Sequence, residues 1–189
     1  MTTQSIKDAA LILFAEHGYN GTSLSHIAAE TGLKKQSLYS HFASKDDLFL
    51  QVLEETFAAE LRDREQYVND RFSEPLDEFL LGALRGMTGR FGHDARMKFW
   101  LRVSFFPPAH LYDQVMEYVY RYIDGVDALY LKRFEQAAAL GEVTRQNPET
   151  ATLAFSALID SICVELVYGG EERTERKLQA AWAVFWAGL

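Results

Sequence analysis

Residues 23–45, which read SLSHIAAETGLKKQSLYSHFASK, place two short helical patterns on either side of one glycine. In the first pattern Leu24 and Ile27 recur at helical spacing, and Ser23 precedes them as an oxygen-bearing N-cap. Gly32 permits the left-handed backbone conformation with which many helices end. Two short helices joined by a tight turn are typical of a helix-turn-helix, and this is the structure that the stretch predicts.

The second helical segment, residues 34–42, is predicted to bury only Leu38 and Phe42, a single i and i+4 pair. So narrow an apolar stripe makes a poor core helix, because most of its side chains must then face solvent. The side chains left outside are mostly hydrogen-bonding ones, namely Lys35, Gln36, Ser37, Tyr39, Ser40 and His41. This helix is therefore predicted to present polar groups to a binding partner.

The run KKQSLYSHFASKDDL, residues 34–48, resembles the recognition-helix signature of TetR-family transcriptional regulators. The resemblance covers about residues 5–55. It implies that DNA is contacted by Ser25, Lys35, Gln36, Ser37, Tyr39, Ser40, His41 and Lys45. Lys34 stands where the family more often has a small polar residue, and it is added to this set as a further phosphate contact.

Side-chain chemistry suggests different roles within this set. Gln36 can pair with adenine through two hydrogen bonds, and Lys35 can donate to guanine or to phosphate. Tyr39, His41 and Lys45 are better suited to phosphate, which sets the register on DNA without reading sequence. The formal charge of −8 argues against general affinity for nucleic acid, because nonspecific binding requires a basic surface. We therefore expect a small, local DNA footprint.

The chain shows no sustained period-two alternation, so it is predicted to be all-α with about nine helices. Residues 1–45 are predicted to form a three-helix DNA-binding domain, and residues 46–189 a helical bundle for ligand binding and dimerisation. Three glycines, Gly86, Gly89 and Gly92, predict a helix break. Helices outside the helix-turn-helix are expected at about residues 5–17, 45–70, 75–88, 94–106, 110–140, 148–168 and 171–187.

Large apolar side chains with polar ends suit a small-molecule pocket, although ordinary helix packing also explains them. The predicted ligand-binding residues are Met97, Trp100, Phe105, Tyr112, Met116, Tyr122, Phe155 and Asp160. Asp160 and Glu165 interrupt an apolar helix, where either could be paired, hydrogen-bonded across a subunit interface, or the counter-charge of a cationic ligand. Structural pairing is the favoured interpretation.

The C-terminal helix carries more apolar surface than one neighbouring helix would cover. The resemblance implies that the last two helices of each subunit form a four-helix dimer interface. The residues predicted to contribute to it are Leu178, Trp182, Phe185 and Trp186.

An enzyme is not indicated, because the five histidines lack metal-ligand spacing and no glycine-rich phosphate loop is present. No catalytic residue, metal or cofactor is predicted. The single Cys163 and the lack of a signal-peptide pattern predict a cytoplasmic protein. The apolar segment 151–168 is interpreted as a buried helix rather than a membrane span, because Asp160 and Glu165 interrupt it.

Together these features predict a homodimeric TetR-like regulator, a repressor that binds a palindromic operator and is released by a small molecule. The alternative is a ligand-binding or protein-interaction module that has no specific DNA binding.

Overall fold

A computed structural model describes residues 2–189, and across them the chain is all-helical, as predicted. Nine α-helices and one short 3-10 turn, Ala109–Leu111, make up the described chain. The helices are α1 Thr3–Gly21, α2 Leu24–Glu30, α3 Lys35–Leu38, α4 Lys45–Arg71, α5 Leu76–Phe91, α6 Ala95–Phe105, α7 Tyr112–Ala139, α8 Pro148–Tyr168 and α9 Glu171–Gly188.

The helices pack into two compact units. The first contains the chain up to Glu60 together with His93–Tyr122, and the second contains Leu61–Gly92 together with Ile123–Leu189. The long helices α4 and α7 contribute to both. The predicted boundary at residue 45 separates a DNA-binding part of the chain from a ligand-binding and dimerisation part, and it stays a prediction. By packing, the first part of α4 and all of α6 belong with the N-terminal helices.

The first unit is held by α1, which lies along α6. Three fully buried rings meet there, with centroids of Phe14 and Phe49 5.1 Å apart, of Phe49 and Phe99 5.6 Å apart, and of Phe14 and Phe99 6.2 Å apart. Such pairs contribute about 0.5–1.5 kcal/mol each beyond the area that they bury. This cluster fixes α1, α4 and α6 against one another.

The second unit has its own aromatic core on α7 and α8. Tyr130 packs edge-on against Phe155 at 4.9 Å, and Phe134 lies 6.2 Å from the same ring. Buried Glu165 of α8 is held by Arg173 Nε at 2.7 Å and by Lys177 Nζ, both on α9. These two hydrogen bonds lower the pKa of Glu165, with Lys177 the larger cause. The predicted structural pairing of Glu165 is confirmed.

Helix α8 is long and apolar enough to cross a membrane by length and composition alone, a test that the core helices of soluble proteins also pass. Its start is as predicted, because Asn147 Oδ1 accepts a hydrogen bond of 2.8 Å from the Thr150 amide and Pro148 occupies the first turn.

The predicted break is found at Gly92, between α5 and α6, but the predicted end of α5 at about residue 88 is wrong, because the helix continues through Gly86 and Gly89 to Phe91. Each glycine costs a helix about 1 kcal/mol relative to alanine. The apolar face of the same helix outweighs that cost, since Phe79, Leu80, Ala83, Leu84 and Met87 are all buried.

The predicted extent of α3 is also wrong. Regular helix covers only Lys35–Leu38 instead of residues 34–42, and a turn follows. The amides of His41 and Phe42 both donate to the Leu38 carbonyl, at 3.0 and 2.9 Å. This turn keeps Phe42 on the same side as Leu38, so the two predicted core side chains are buried nevertheless.

Candidate DNA-binding and effector-binding residues

The helix-turn-helix is built as the sequence predicts. Ser23 Oγ accepts a hydrogen bond of 3.2 Å from the His26 amide and begins α2. Gly32 has a φ of 68°, and the amide of Leu33 donates to the Ala28 carbonyl at 2.8 Å, which closes the end of the helix. A side chain at Gly32 would be strained in this left-handed conformation.

Most of the side chains predicted to touch DNA are exposed around α3. Leu38 and Phe42 are 1% and 3% exposed and fasten the segment to the core. Tyr39 is 52% exposed and Ser37 is half-buried. The other predicted DNA contacts, apart from Lys45, are all exposed, namely Ser25, Lys34, Lys35, Gln36, Ser40 and His41. An exposed row of donors on a helix that is anchored from behind can be placed in a DNA groove.

Two members of this set make hydrogen bonds within the chain. Ser40 Oγ donates to the Ser37 carbonyl at 2.7 Å. His41 Nδ1 lies 3.0 Å from Thr3 Oγ1. The end of residues 34–42, which we call the recognition segment, is thereby joined to the start of α1. Both side chains are therefore held in place before any partner binds.

Lys45 lies in a different environment from the other predicted contacts. Its ammonium donates to the Tyr19 carbonyl at 2.9 Å and to the Thr22 carbonyl at 3.0 Å, and it lies 3.8 Å from the centroid of the Tyr19 ring. Burial lowers its pKa. Two of its three N–H groups are thus used inside the protein. Lys45 closes the connection from α1 to α2, and its contact with phosphate stays a prediction.

Polar side chains behind Lys45 connect α1, α4 and the turn before α7. The hydroxyl of Tyr19 donates to Asp46, and His110 Nε2 lies 3.4 Å from Asp46 Oδ1. The Tyr19 and His110 rings are 5.0 Å apart. Burial, with help from Asp46, raises the pKa of Tyr19, and the Tyr19 hydroxyl lowers the pKa of Asp46. We call Tyr19, Lys45, Asp46 and His110 the junction cluster.

Arg102 of α6 strengthens the same region and was not singled out from the sequence. Its Nε donates to the Ala15 carbonyl at 2.9 Å and its Nη2 to the Glu16 carbonyl at 3.2 Å. Both carbonyls precede Gly18, whose φ of 71° interrupts the helical backbone of α1 next to the predicted helix end at about residue 17. Carbonyls at the end of a helix lack the amide partners that the helix interior supplies. The glycine was the only sequence signal that a donor would be needed there.

The predicted effector residues are divided between the two units. Met97, Trp100 and Tyr122 are buried in the first unit, whereas Phe155 is buried in the second. The others are more accessible: Phe105 is 37% exposed, Tyr112 51%, Met116 is half-buried and Asp160 is exposed within the chain.

The structure brings one pair of the predicted effector residues together. The rings of Trp100 and Tyr122 are 5.2 Å apart at an angle of 62°. One turn before Trp100 on α6, Arg96 forms an ion pair that the sequence did not reveal, from its Nε to Glu60 Oε1 at 2.9 Å, and Glu60 is only 3% exposed.

A surface cavity of about 550 Å³ lies in the second unit between α5, α8 and α9, and it is lined by other residues than the predicted ones. They include Phe91, Leu166, Thr174 and Glu175. Among residues 2–189, no group of three or more His, Cys, Asp or Glu side chains could hold a metal ion.

The predicted dimer residues do not all face outward. Leu178 is 1% exposed and packs inside its own subunit. Trp182 and Phe185 are half-buried, and Trp186, 37% exposed, stacks on Trp182 with centroids 5.5 Å apart. The outward apolar surface of α8 and α9 is formed by residues that the sequence did not single out, Leu153, Val164, Tyr168 and Val184, which are 57, 39, 66 and 76% exposed.

Residues 6–52 match the family described as "Bacterial regulatory proteins, tetR family". The chain is 40% identical over 52 residues to the biofilm operon icaADBC HTH-type negative transcriptional regulator IcaR of Staphylococcus epidermidis. That segment is 28% of this chain and 28% of IcaR, so the chain spans little more than a quarter of this curated relative.

Solved structures resemble the chain over nearly its whole length. A Mesorhizobium loti protein assigned to the TetR family of transcriptional regulators gives a TM-score of 0.75 at 23% identity, covering 99% of this chain and 96% of that one. The transcriptional regulator FadR of Bacillus subtilis, solved in complex with stearoyl-CoA, gives 0.67 at 17% identity and covers all of both chains. At such identities the likeness establishes the fold. The match to the TetR family of bacterial regulatory proteins lies in residues 6–52, and the chain as a whole has the fold of the TetR-family regulator from Mesorhizobium loti.

Proposed function

We propose that the protein is a homodimeric transcriptional repressor that binds a palindromic operator through α3 and is released by a small-molecule effector. The observation that carries this proposal is the outward row of donors on α3, fastened from behind by Leu38 and Phe42. IcaR, which resembles the same segment, is a negative transcriptional regulator.

Base contacts are assigned to Gln36 and Lys35 at the start of α3. Both side chains are exposed, and neither makes a hydrogen bond or ion pair with another described residue. Their polar atoms are therefore available to base edges, where glutamine recognises adenine and lysine recognises guanine. Lys34, Tyr39 and the serines serve phosphate and set the register.

A dimer supplies what one acidic subunit lacks. With a formal charge of −8, a single chain has no broad electrostatic attraction for DNA. A dimer carries two DNA-binding domains, which bind half-sites about 34–36 Å apart. The number of contacts with DNA is thereby doubled. The outward apolar side chains of α8 and α9, with Val184 76% exposed, are the proposed contact surface between subunits.

Effector control is proposed to act through the first unit, which contains α1–α3 as well as α6 and the start of α7. Arg102 of α6 and His110 of the following turn both contact the end of α1 or its neighbour Asp46. An effector that favours one placement of α6 would move these contacts and shift the population of DNA-competent dimers. Stearoyl-CoA bound to FadR is one example of a ligand on this fold.

The test is a mobility-shift assay at low salt with DNA from around the protein's own gene. The wild-type dimer is expected to retard a specific fragment. Val184→Glu, which places a charge on the proposed subunit contact, should yield monomers by sedimentation and lose most of that retardation. A folded, dimeric wild-type sample that retards no fragment specifically would support the alternative, a ligand-binding or protein-interaction module without specific DNA binding.

A further inference from the structure

The indole of Trp100 on α6 carries a buried donor that none of the described residues satisfies. Its side chain is 8% exposed, and Nε1 has no hydrogen-bond partner among the described residues. An indole N–H can donate but cannot accept. Because buried polar groups are nearly always paired, the position favours an acceptor other than residues 2–189.

Trp100 belongs to a cluster that three helices of the first unit build. Each helix contributes two side chains, and because these are three or four residues apart they lie on the same face of that helix. The pairs are Phe57 and Glu60 of α4, Arg96 and Trp100 of α6, and Tyr118 and Tyr122 of α7. Ring contacts join Trp100 to Tyr122 at 5.2 Å, and Phe57 to Tyr122 and Tyr118 at 5.9 and 6.4 Å. We call these six residues the Trp100 cluster.

The charges of the Trp100 cluster cancel. Glu60, 3% exposed, is paired with Arg96 across 2.9 Å. Because each charge of this pair is already neutralised by the other, the pair offers no counter-charge to an ionic ligand. The aromatic rings favour a ligand whose main part is apolar or aromatic. A plain hydrocarbon would leave the indole N–H unpaired. These conditions together favour a neutral molecule with one oxygen acceptor.

We propose that the Trp100 cluster binds a neutral organic molecule that carries a ketone, ester or amide carbonyl, and that the Trp100 N–H orients it by donating to that oxygen. The inference rests on the effector-controlled function proposed above and names the chemical class of the effector. Arg96, 31% exposed, and half-buried Tyr118 place one edge of the cluster at the protein surface.

The first test observes the indole N–H directly. The three tryptophans give three indole signals in a ¹⁵N-correlated NMR spectrum of the full chain, which single Trp→Phe variants assign. Acetophenone is expected to move the Trp100 signal downfield. Ethylbenzene, of similar size but without the oxygen, should not, and benzoate and benzylamine should bind more weakly than acetophenone. Equal shifts with acetophenone and ethylbenzene would overturn the proposal in favour of simple packing.

The second test removes the donor. Trp100→Phe keeps an aromatic ring and should weaken acetophenone binding about five- to ten-fold, the usual effect of one neutral hydrogen bond. Tyr120→Phe is the control, because Tyr120 is 58% exposed on α7 and should bind acetophenone like the wild type. Circular dichroism checks that both variants fold. A Trp100 signal already at a hydrogen-bonded position and unmoved by every probe would mean that water is the acceptor, which also overturns the proposal.

Operator retardation by the same samples separates the two proposals. An indole response to acetophenone without any specific DNA retardation would defeat only the repressor function. Specific retardation without an indole response would defeat only the Trp100 site.

Discussion

The recognition segment and the junction cluster lie within one compact unit and use similar side chains in opposite ways. On α3, Lys35 and Gln36 are exposed and unengaged. In the junction cluster, the ammonium of Lys45 is shared between the Tyr19 and Thr22 carbonyls. The difference teaches that a basic residue inside a DNA-binding motif can serve the fold, and that removing it should cost stability before it costs recognition.

The largest expected effect comes from Lys45→Ala. It leaves two part-buried carbonyls without their donor and uncovers the Tyr19 ring, so we expect a loss of about 1–3 kcal/mol in the free energy of unfolding. Urea denaturation measures it. Lys35→Ala, which removes an exposed lysine of the same DNA-binding domain, is the control. Its free energy of unfolding should stay within about 0.5 kcal/mol of the wild-type value. Equal losses in the two variants would remove the distinction.

Lys34→Ala should weaken operator binding without destabilising the fold. Lys34 is exposed and is proposed to contact phosphate, so its loss should lower the slope of log K against log salt by about one. Fluorescence anisotropy over a range of salt concentrations gives that slope. The weakening should be the same for the operator and for scrambled DNA, and a loss confined to the operator would show instead that Lys34 reads bases.

The junction cluster should make stability depend on pH. Tyr19 lowers the pKa of Asp46 below its unfolded value, so the contribution of Asp46 is present above that unfolded value and is lost as pH falls through the folded pKa. Tyr19→Phe removes the hydrogen bond that is the largest cause of this shift. We expect a flatter decline in the melting temperature between neutral and acidic pH than in the wild type. An unchanged decline would mean that Asp46 does not depend on Tyr19.

The smallest effect is expected at Asp160 on α8, which belongs to the second unit. Although the side chain of Asp160 is exposed, partial desolvation of its carboxyl, with repulsion from Asp127, raises its pKa, so the carboxylate form opposes folding and stability rises as pH falls through the folded pKa. Asp160→Asn should therefore slightly raise the melting temperature at pH 7 and reduce its rise on acidification. Glu135→Gln, which neutralises an exposed carboxylate on α7, is the matched control and should change neither.

The sequence predicted the recognition segment better than the junction cluster, for a physical reason. Burial of Leu38 and Phe42, the cap at Ser23 and the turn at Gly32 depend on side chains a few residues apart, and periodicity reveals them. The partners of Lys45 lie 23 and 26 residues before it, at the interrupted end of α1. No local pattern specifies such a contact.

The same reasoning explains the other misses. The glycines of α5 suggested that the helix ends at about residue 88 because their local cost is visible in the sequence, whereas the burial that outweighs it depends on distant helices. Leu178 was assigned to a subunit contact because its apolar stripe was visible, but the stripe alone cannot say which part of it packs inside the subunit. The ion pair between buried Glu60 and part-exposed Arg96 joins α4 to α6, and spacing along either helix could not reveal it.

The exposed face of α3 is proposed to read DNA sequence, and Gln36→Ala removes the side chain on which that reading depends. Fluorescence anisotropy at one fixed salt concentration should show that the variant binds its operator more weakly by about 1–3 kcal/mol of binding free energy. This is the loss expected when a side chain that forms two hydrogen bonds with one base is removed. Its affinity for scrambled DNA and its stability to urea should match the wild type. Operator affinity equal to that of the wild type, or an equal loss on operator and scrambled DNA, would contradict the claim.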